Sequence, residues 1–198
     1  MIKPNRVKQY CQFTAINEDT TASSGNAVST FLNAASVSDL EQGTPLGIAV
    51  TSADNTNGRW QFTLDGTTFN QLGVPTAPFA RLLDATNPNH KIRFFPDLDF
   101  FGTATMKYRA WDKTDGRSAG EEGNTSTTGG ASAFSAGEVT KTITVNPIND
   151  EPTQTLQLVA DRNEDVGLVT IAGFATTTKG GGSDENSQTL SFSLTNDN

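Results

Sequence analysis

Apolar and polar residues alternate with period two in several short stretches of the chain. Trp60, Phe62 and Leu64 fall on one face, with Gln61 and Thr63 on the other, the pattern of a half-buried strand. Asp65-Gly66 follows, a strong turn signal. Ile92 to Phe95 is a second apolar run, ended by Pro96. Ala104, Met106, Tyr108 and Ala110 alternate with Thr105, Lys107 and Arg109 in the longest predicted strand, and Val139, Ile143 and Val145 alternate with Thr140, Thr142 and Thr144 in the last. Lys141 interrupts that last apolar face, and a place near the strand end would let its stem snorkel to water. Val28, Phe31, Leu32 and Ala35 have helical spacing. The corresponding stretch Val169 to Ser183, however, holds Gly173 and Gly180-Gly181-Gly182, and each glycine costs a helix about 1 kcal/mol relative to alanine. Both copies are therefore read as strand followed by loop. Lys113 to Gly137 is rich in Gly, Ser and Thr and poor in apolar residues, and is read as a mobile excursion between the last two strands.

The two copies just compared belong to an internal repeat. Asn17-Glu18-Asp19 recurs as Asn163-Glu164-Asp165, Ser38-Asp39 with Glu41 recurs as Ser183-Asp184-Glu185, and Leu46 to Asn55 recurs as Leu190 to Asn198. The three matches keep their order and drift by one residue each, which predicts one full module and about the first third of a second. Such a partial unit is expected to leave sheet edges and apolar surface uncovered. The boundary falls at Val145 to Pro152, where Pro147 and Pro152 bias their predecessors towards extended backbone. The expected organisation is an extension over residues 1–13, taken as disordered, a module over 14–147, a short stiff linker over 148–152, and the truncated second module over 153–198.

Composition fits that picture. Of 198 residues, 34% are hydrophobic, and 18 glycines and 8 prolines suit many short strands joined by turns. The predicted class is all-β. Net charge is −8, which repels nucleic acid and anionic lipid and favours divalent cations. Cys11 is the single cysteine, so no intrachain disulfide framework exists. No apolar run is long enough to span a bilayer, and Met1 to Phe13 lacks the apolar stretch of a signal peptide. If the chain works outside the cell, an export signal must be encoded elsewhere. Enzyme chemistry finds little footing. His90 is the only histidine, so a His-rich zinc site is impossible, no Gly-x-Ser-x-Gly elbow accompanies it, and Gly180-Gly181-Gly182 precedes no helix pattern. Carboxylates abound, but the expectation is a non-enzyme.

The Asn-Glu-Asp opening, the Ser-Asp-x-Glu turn, Trp60-Gln61-Phe62, the Arg93-Phe94 to Gly102 turn, Arg109-Ala110-Trp111-Asp112 and the Asn149-Asp150-Glu151-Pro152 linker together resemble bacterial cadherin-like repeats. That resemblance implies Greek-key, immunoglobulin-like β-sandwiches strung end to end, with Ca2+ at the junctions and a role in adhesion at the cell surface or outside the cell. It further implies neighbouring modules of the same parent as partners, with surface or matrix glycans or proteins as ligands, and neither nucleic acid nor membrane insertion. Carried over residue by residue, Glu18, Asn149, Asp150, Asp184 and Glu185 would share one junction, and Asp39, Glu41 and Asp112 would serve the other. Asn146 stands where the family has Asp, and Asp184-Glu185 is adjacent rather than spaced by one. Calcium takes six to eight oxygens, more than one strand can offer, so converging segments suit it. The competing account is that these carboxylates cap turns. Asp97 and Asp99 are read that way, as a tight turn rather than a metal pair. Two further functions stay open: a carbohydrate-binding module using Trp60 or Trp111, although both sit in strands where core packing is the better reading, and a metal-free spacer.

Overall fold

The computed structural model describes residues 12–32, 47–161, 163, 165, 167–193 and 195. The chain is all-β, and its described residues form twelve strands and two short 3-10 turns. They divide into two compact units, Met1–Asn146 and Pro147–Asn198.

The first unit holds β1 (Ile16–Asn17), β2 (Asn26–Ala27), β3 (Gly47–Ala53), β4 (Gly58–Thr63), β5 (Asn70–Gln71), β6 (Ala80–Asp84), β7 (Lys91–Pro96), β8 (Gly102–Trp111), β9 (Glu122–Gly123) and β10 (Val139–Asn146). One sheet runs β1-β10-β8-β3-β6-β9 and the other β2-β7-β4-β5. Each strand predicted from alternation is present, because each has an apolar face to bury. Ile48 and Val50 of β3, Met106 and Tyr108 of β8, and Ile143 and Val145 of β10 join Trp60 and Phe62 of β4 and Ile92 and Phe94 of β7 in one apolar cluster. Both sheets thus share a core. Trp60 and Trp111 are fully buried, and the Trp60 Nε1 donates to the Asp54 carbonyl at 3.1 Å. Neither tryptophan can present a ring to a sugar.

Four sequence expectations change. Phe13, assigned to a disordered extension, is buried and stacks on Phe31 and Trp60 with ring centroids 4.8 and 4.9 Å away; residues 1–11, Cys11 included, lie outside the described residues. Val28 to Phe31 is neither strand nor loop but a single 3-10 turn after β2. Its buried Val28 and Phe31 stand one turn apart, as i and i+3 eclipse in this helix, and the Tyr108 hydroxyl donates to the Phe31 carbonyl at 2.8 Å. Lys141 is the third residue of β10 yet only 4% exposed, so burial replaces the snorkelling expected of it. The segment Lys113 to Gly137 is pinned rather than free. Its β9 pairs with β6, Phe134 bridges to Trp111, and Ala133 and Phe134 form a second small core with Ala49, Ala80, Leu82 and Trp111. Two apolar side chains suffice because Gly123 lets Leu82 and Phe134 close in: a Cβ there would meet them at 2.9 and 3.1 Å.

The second unit holds β11 (Thr153–Leu156), antiparallel to β12 (Ala175–Thr178), and a 3-10 turn over Ser183–Ser187. Within Val169 to Ser183, read as strand followed by loop, residues 169–174 form no strand and β12 begins only at Ala175, so the strand is shorter and later than expected. Leu190 to Ser193, the counterpart of β3, forms no strand. In the first unit β3 is held between β8 and β6; the second unit offers no such neighbours among its described residues. Phe192, at the position of the fully buried Ile48, is accordingly 61% exposed. Leu158 and Leu168 are also exposed. No helix among the described residues is long and apolar enough to cross a membrane.

Candidate metal centre

In the first unit, three chain segments converge at one end of the six-stranded sheet. β1 pairs parallel with β10, Ile16 with Val145 and Asn17 with Asn146, so the chain leaves β1 where β10 finishes. The Glu18 N–H donates to the Asn146 carbonyl at 2.9 Å, and Glu18 is buried. β8 runs antiparallel to β10 with Gly102 opposite Val145, which brings the turn preceding β8 to the same end. There the Asp99 N–H donates to the Asp19 Oδ1 at 3.0 Å. Carboxylate oxygens of these two residues lie within 4.8 Å of one another, a pair that could contribute to holding a metal ion.

The arrangement is energetically demanding. Asp19 and Asp99 both have φ of 58°, in the left-handed region that costs an L-residue about 1–2 kcal/mol, least for Asp and Asn. Two like charges at that spacing repel by about 1 kcal/mol in water and about 3–4 kcal/mol at a typical protein dielectric. The Asp99 N–H bond to Asp19 offsets part of this, and a cation between the carboxylates would reverse its sign. The turn reading survives for Asp97, which is exposed and whose carbonyl accepts the Phe100 N–H at 3.2 Å. Neither Asp19 nor Asp99 was among the expected ligands, although Asp19 is part of the repeated Asn-Glu-Asp and its neighbour Glu18 was singled out.

In the second unit the expected residues Asn149, Asp150 and Glu185 come together, with Asp184 next to Glu185 in sequence. The Asp150 N–H donates to Glu185 Oε1 at 3.0 Å. Gln188 Nε2 donates to Asn149 Oδ1 at 2.8 Å, and the Gln188 N–H donates to the Glu185 carbonyl at 3.0 Å. Gly180, at φ +112°, allows the backbone of Asp150 to approach: a Cβ on it would meet the Asp150 Cβ at 2.8 Å and carbonyl oxygen at 2.9 Å. The triple glycine that argued against a helix thus has a packing use. Glu185 is 2% exposed, and Glu185 Oε2, Asp184 Oδ1 and Asp150 Oδ2 are buried with no hydrogen-bond partner among the described residues. Leaving a buried acceptor unpaired costs about 1–3 kcal/mol, and more when it is charged. Anionic oxygens without thiolate or imidazole are the donor set of a hard cation, although the three carboxylates do not all lie within 4.8 Å of one another.

Of the remaining expected ligands, Asp112 is described, at the opposite end of the first unit. Asp112 follows the last residue of β8, and its Oδ1 accepts the Thr114 N–H and hydroxyl at 2.8 and 2.7 Å, the turn-capping role. Asp39 and Glu41 lie outside the described residues. The acidic neighbour at that end, Asp84, pairs with Lys113. Burial opposes its ionisation, but bonds from Lys113 and Thr86 outweigh that and hold the carboxyl below its ordinary value.

Comparison of the chain with protein-family models, with curated proteins and with solved structures finds no match.

Proposed function

We propose that the chain is a calcium-binding adhesion or spacer segment of a tandem-repeat surface protein. In this reading the first unit is a Greek-key β-sandwich of the cadherin-like, immunoglobulin-like type, and the second is the beginning of another. It acts outside the cell or at its surface, next to further modules of the same parent. The observation that carries the reading is the set of buried carboxylate oxygens without partners in Asp150, Asp184 and Glu185. A fold retains such oxygens at a cost unless a cation pairs with them. Asp19 and Asp99 supply an acidic pair of their own in the first unit. Calcium is favoured over magnesium because carboxylates and carbonyls from separate segments make an irregular cage. Calcium accepts such cages, whereas magnesium demands a near-ideal octahedron. The consequence of binding is stiffness, since one ion ties together segments that otherwise move independently.

The test is calorimetric melting of the whole chain with EDTA and with 10 mM CaCl2. Extracellular sites bind calcium at about 10⁻⁴–10⁻³ M, so 10 mM is about 10–100 times Kd and adds about 1.4–2.7 kcal/mol. A rise of several degrees in a transition is the expected result. Identical melts in both buffers leave the metal-free spacer as the surviving account. The carbohydrate-binding alternative built on Trp60 and Trp111 has no accessible ring to use.

A further inference from the structure

The outer face of the four-stranded sheet differs in charge from the rest of the molecule. The chain carries 22 acidic and 14 basic residues, yet β2, β4, β5 and β7 contain no Asp or Glu. Their outward positions carry Arg59, Lys91 and Arg93 instead, while Gln61 and Thr63, on the same face of β4, are buried. Burial alternates along β7, with Ile92, Phe94 and Pro96 buried and Lys91, Arg93 and Phe95 half-exposed, and Arg59 of β4 is exposed.

Register fixes the spacing of these cations. Arg59 lies opposite Phe95, Gln61 opposite Arg93, and Thr63 opposite Lys91. Three successive rows therefore hold one cation each. Rows two residues apart are about 7 Å apart, so the stripe spans about 14 Å. The ion pairs among the described residues join Arg81 to Glu122, Arg109 to Glu138, Lys113 to Asp84 and Arg117 to Asp115; none involves the stripe. Its guanidinium groups are nevertheless held in place. Arg59 stacks over the Phe95 ring at 4.1 Å and Arg93 over the Phe69 ring at 3.7 Å. Arg93 also donates to Gln61 Oε1 and to the Ser23 carbonyl, both at 2.8 Å. The mutual repulsion of Arg59 and Arg93 adds to burial in lowering the Arg93 pKa. Ordered cations that repel one another without a counter-ion make an anion site.

We infer that this face binds a carboxylated polysaccharide, a uronate-bearing chain laid along the stripe. Guanidinium groups already stacked on rings pay little entropy when a carboxylate arrives, and their forks match it in geometry. The exposed amides of Asn70 and Gln71 on the adjoining edge can bond hydroxyls. One cation per about 7 Å suits a sparsely charged polymer rather than duplex DNA with one charge per about 1.7 Å. The two rings are covered by guanidinium and offer no platform for base stacking. A protein partner would need an apolar centre, and these four strands expose no large aliphatic side chain.

The test is affinity electrophoresis of the whole chain in gels containing polygalacturonate, in EDTA so that calcium plays no part. Retardation is expected in polygalacturonate and not in dextran. Arg59→Ala and Lys91→Ala, both surface changes, should each weaken it about fivefold, Arg59→Glu should abolish it, and Arg117→Ala, off the stripe, should leave it unchanged. Thermal melts identical to wild type establish that each variant is folded. Absence of retardation overturns the inference. So does an equal loss with Arg117→Ala, or equal affinity for poly-glutamate or poly(dT), which would assign the face to acidic protein or nucleic acid.

Discussion

Glu185→Gln separates a cation site from an ordinary buried hydrogen-bonding residue. The change is nearly isosteric, keeps an oxygen to accept the Asp150 N–H at 3.0 Å, and removes one negative charge from a side chain 2% exposed. Without metal, the wild-type carboxylate leaves Oε2 buried and unpaired, a burden of about 1–3 kcal/mol or more. Neutralising it should leave the metal-free protein as stable or more so by about 1 kcal/mol. With 10 mM CaCl2 the wild type gains about 1.4–2.7 kcal/mol, while the variant, short of one anionic ligand, gains little. The order of stabilities is therefore expected to invert on adding calcium. The readout must reach the second unit, which contains no Trp or Tyr, so tryptophan fluorescence is blind to it. Hydrogen exchange of the Asp150 amide, followed by NMR, reports the bond to Glu185 directly. Calcium should slow that exchange in the wild type and barely change it in the variant. An exchange rate indifferent to calcium in the wild type, or a variant that responds as strongly, refutes the assignment of Glu185 as a ligand.

Two further outcomes concern the first unit alone. His90 is 6% exposed, its Nδ1 accepts the Asp84 N–H at 3.3 Å, and burial lowers its pKa below the ordinary 6.5 despite the attraction of Asp84. The folded state thus prefers neutral imidazole, and stability present above pH 6.5 should decline as pH falls through the folded value, by at most about 1.4 kcal/mol per pH unit. Urea denaturation between pH 7 and 5 should show that slope in the wild type and not in His90→Gln; equal profiles would exclude His90 as its source. Phe134→Ala removes the larger of the two side chains that pin the 113–137 segment to Trp111 and Leu82, and should cost about 3 kcal/mol. Limited proteolysis should then cut within that segment first, and a cleavage pattern unchanged from wild type would show that the pin is not Phe134.

Period-two alternation made the strands legible because each borders a core that rewards it. It said nothing of Lys141, whose burial depends on what β10 packs against rather than on its own neighbours in sequence. The Val28–Phe31 spacing was a true helical signal, but only one turn of it had apolar partners, and glycines in the other copy pulled the reading towards a loop. The 113–137 segment was misjudged because composition averages over 25 residues, whereas Phe134 and Gly123 act singly. In the second unit, the nearness of Asn149 and Asp150 to the Glu185 turn agrees with their grouping by the repeat and the cadherin-like linker. In the first unit no such signal marked Asp99, because its nearness to Asp19 arises from the parallel register of β1 with β10 and the antiparallel register of β8. Pairing across 80 residues leaves no local trace. The cationic stripe escaped notice for the same reason: Arg59, Lys91 and Arg93 align only once β4 and β7 pair.

The parallel pairing of β1 with β10 also decides how the first unit bears load. A pull that draws the chain apart at its two ends acts on the start of β1 and the finish of β10, in opposite directions along strands that run the same way. The bonds between them, with the Glu18 N–H to Asn146 carbonyl bond extending the row, are then sheared together instead of being unzipped one after another. Rupture under tension is governed by the rate of unfolding. Under such a pull the bonds of β1 to β10 would share the tension, so the two residues of β1 would have to give way before the first unit could lengthen from that end.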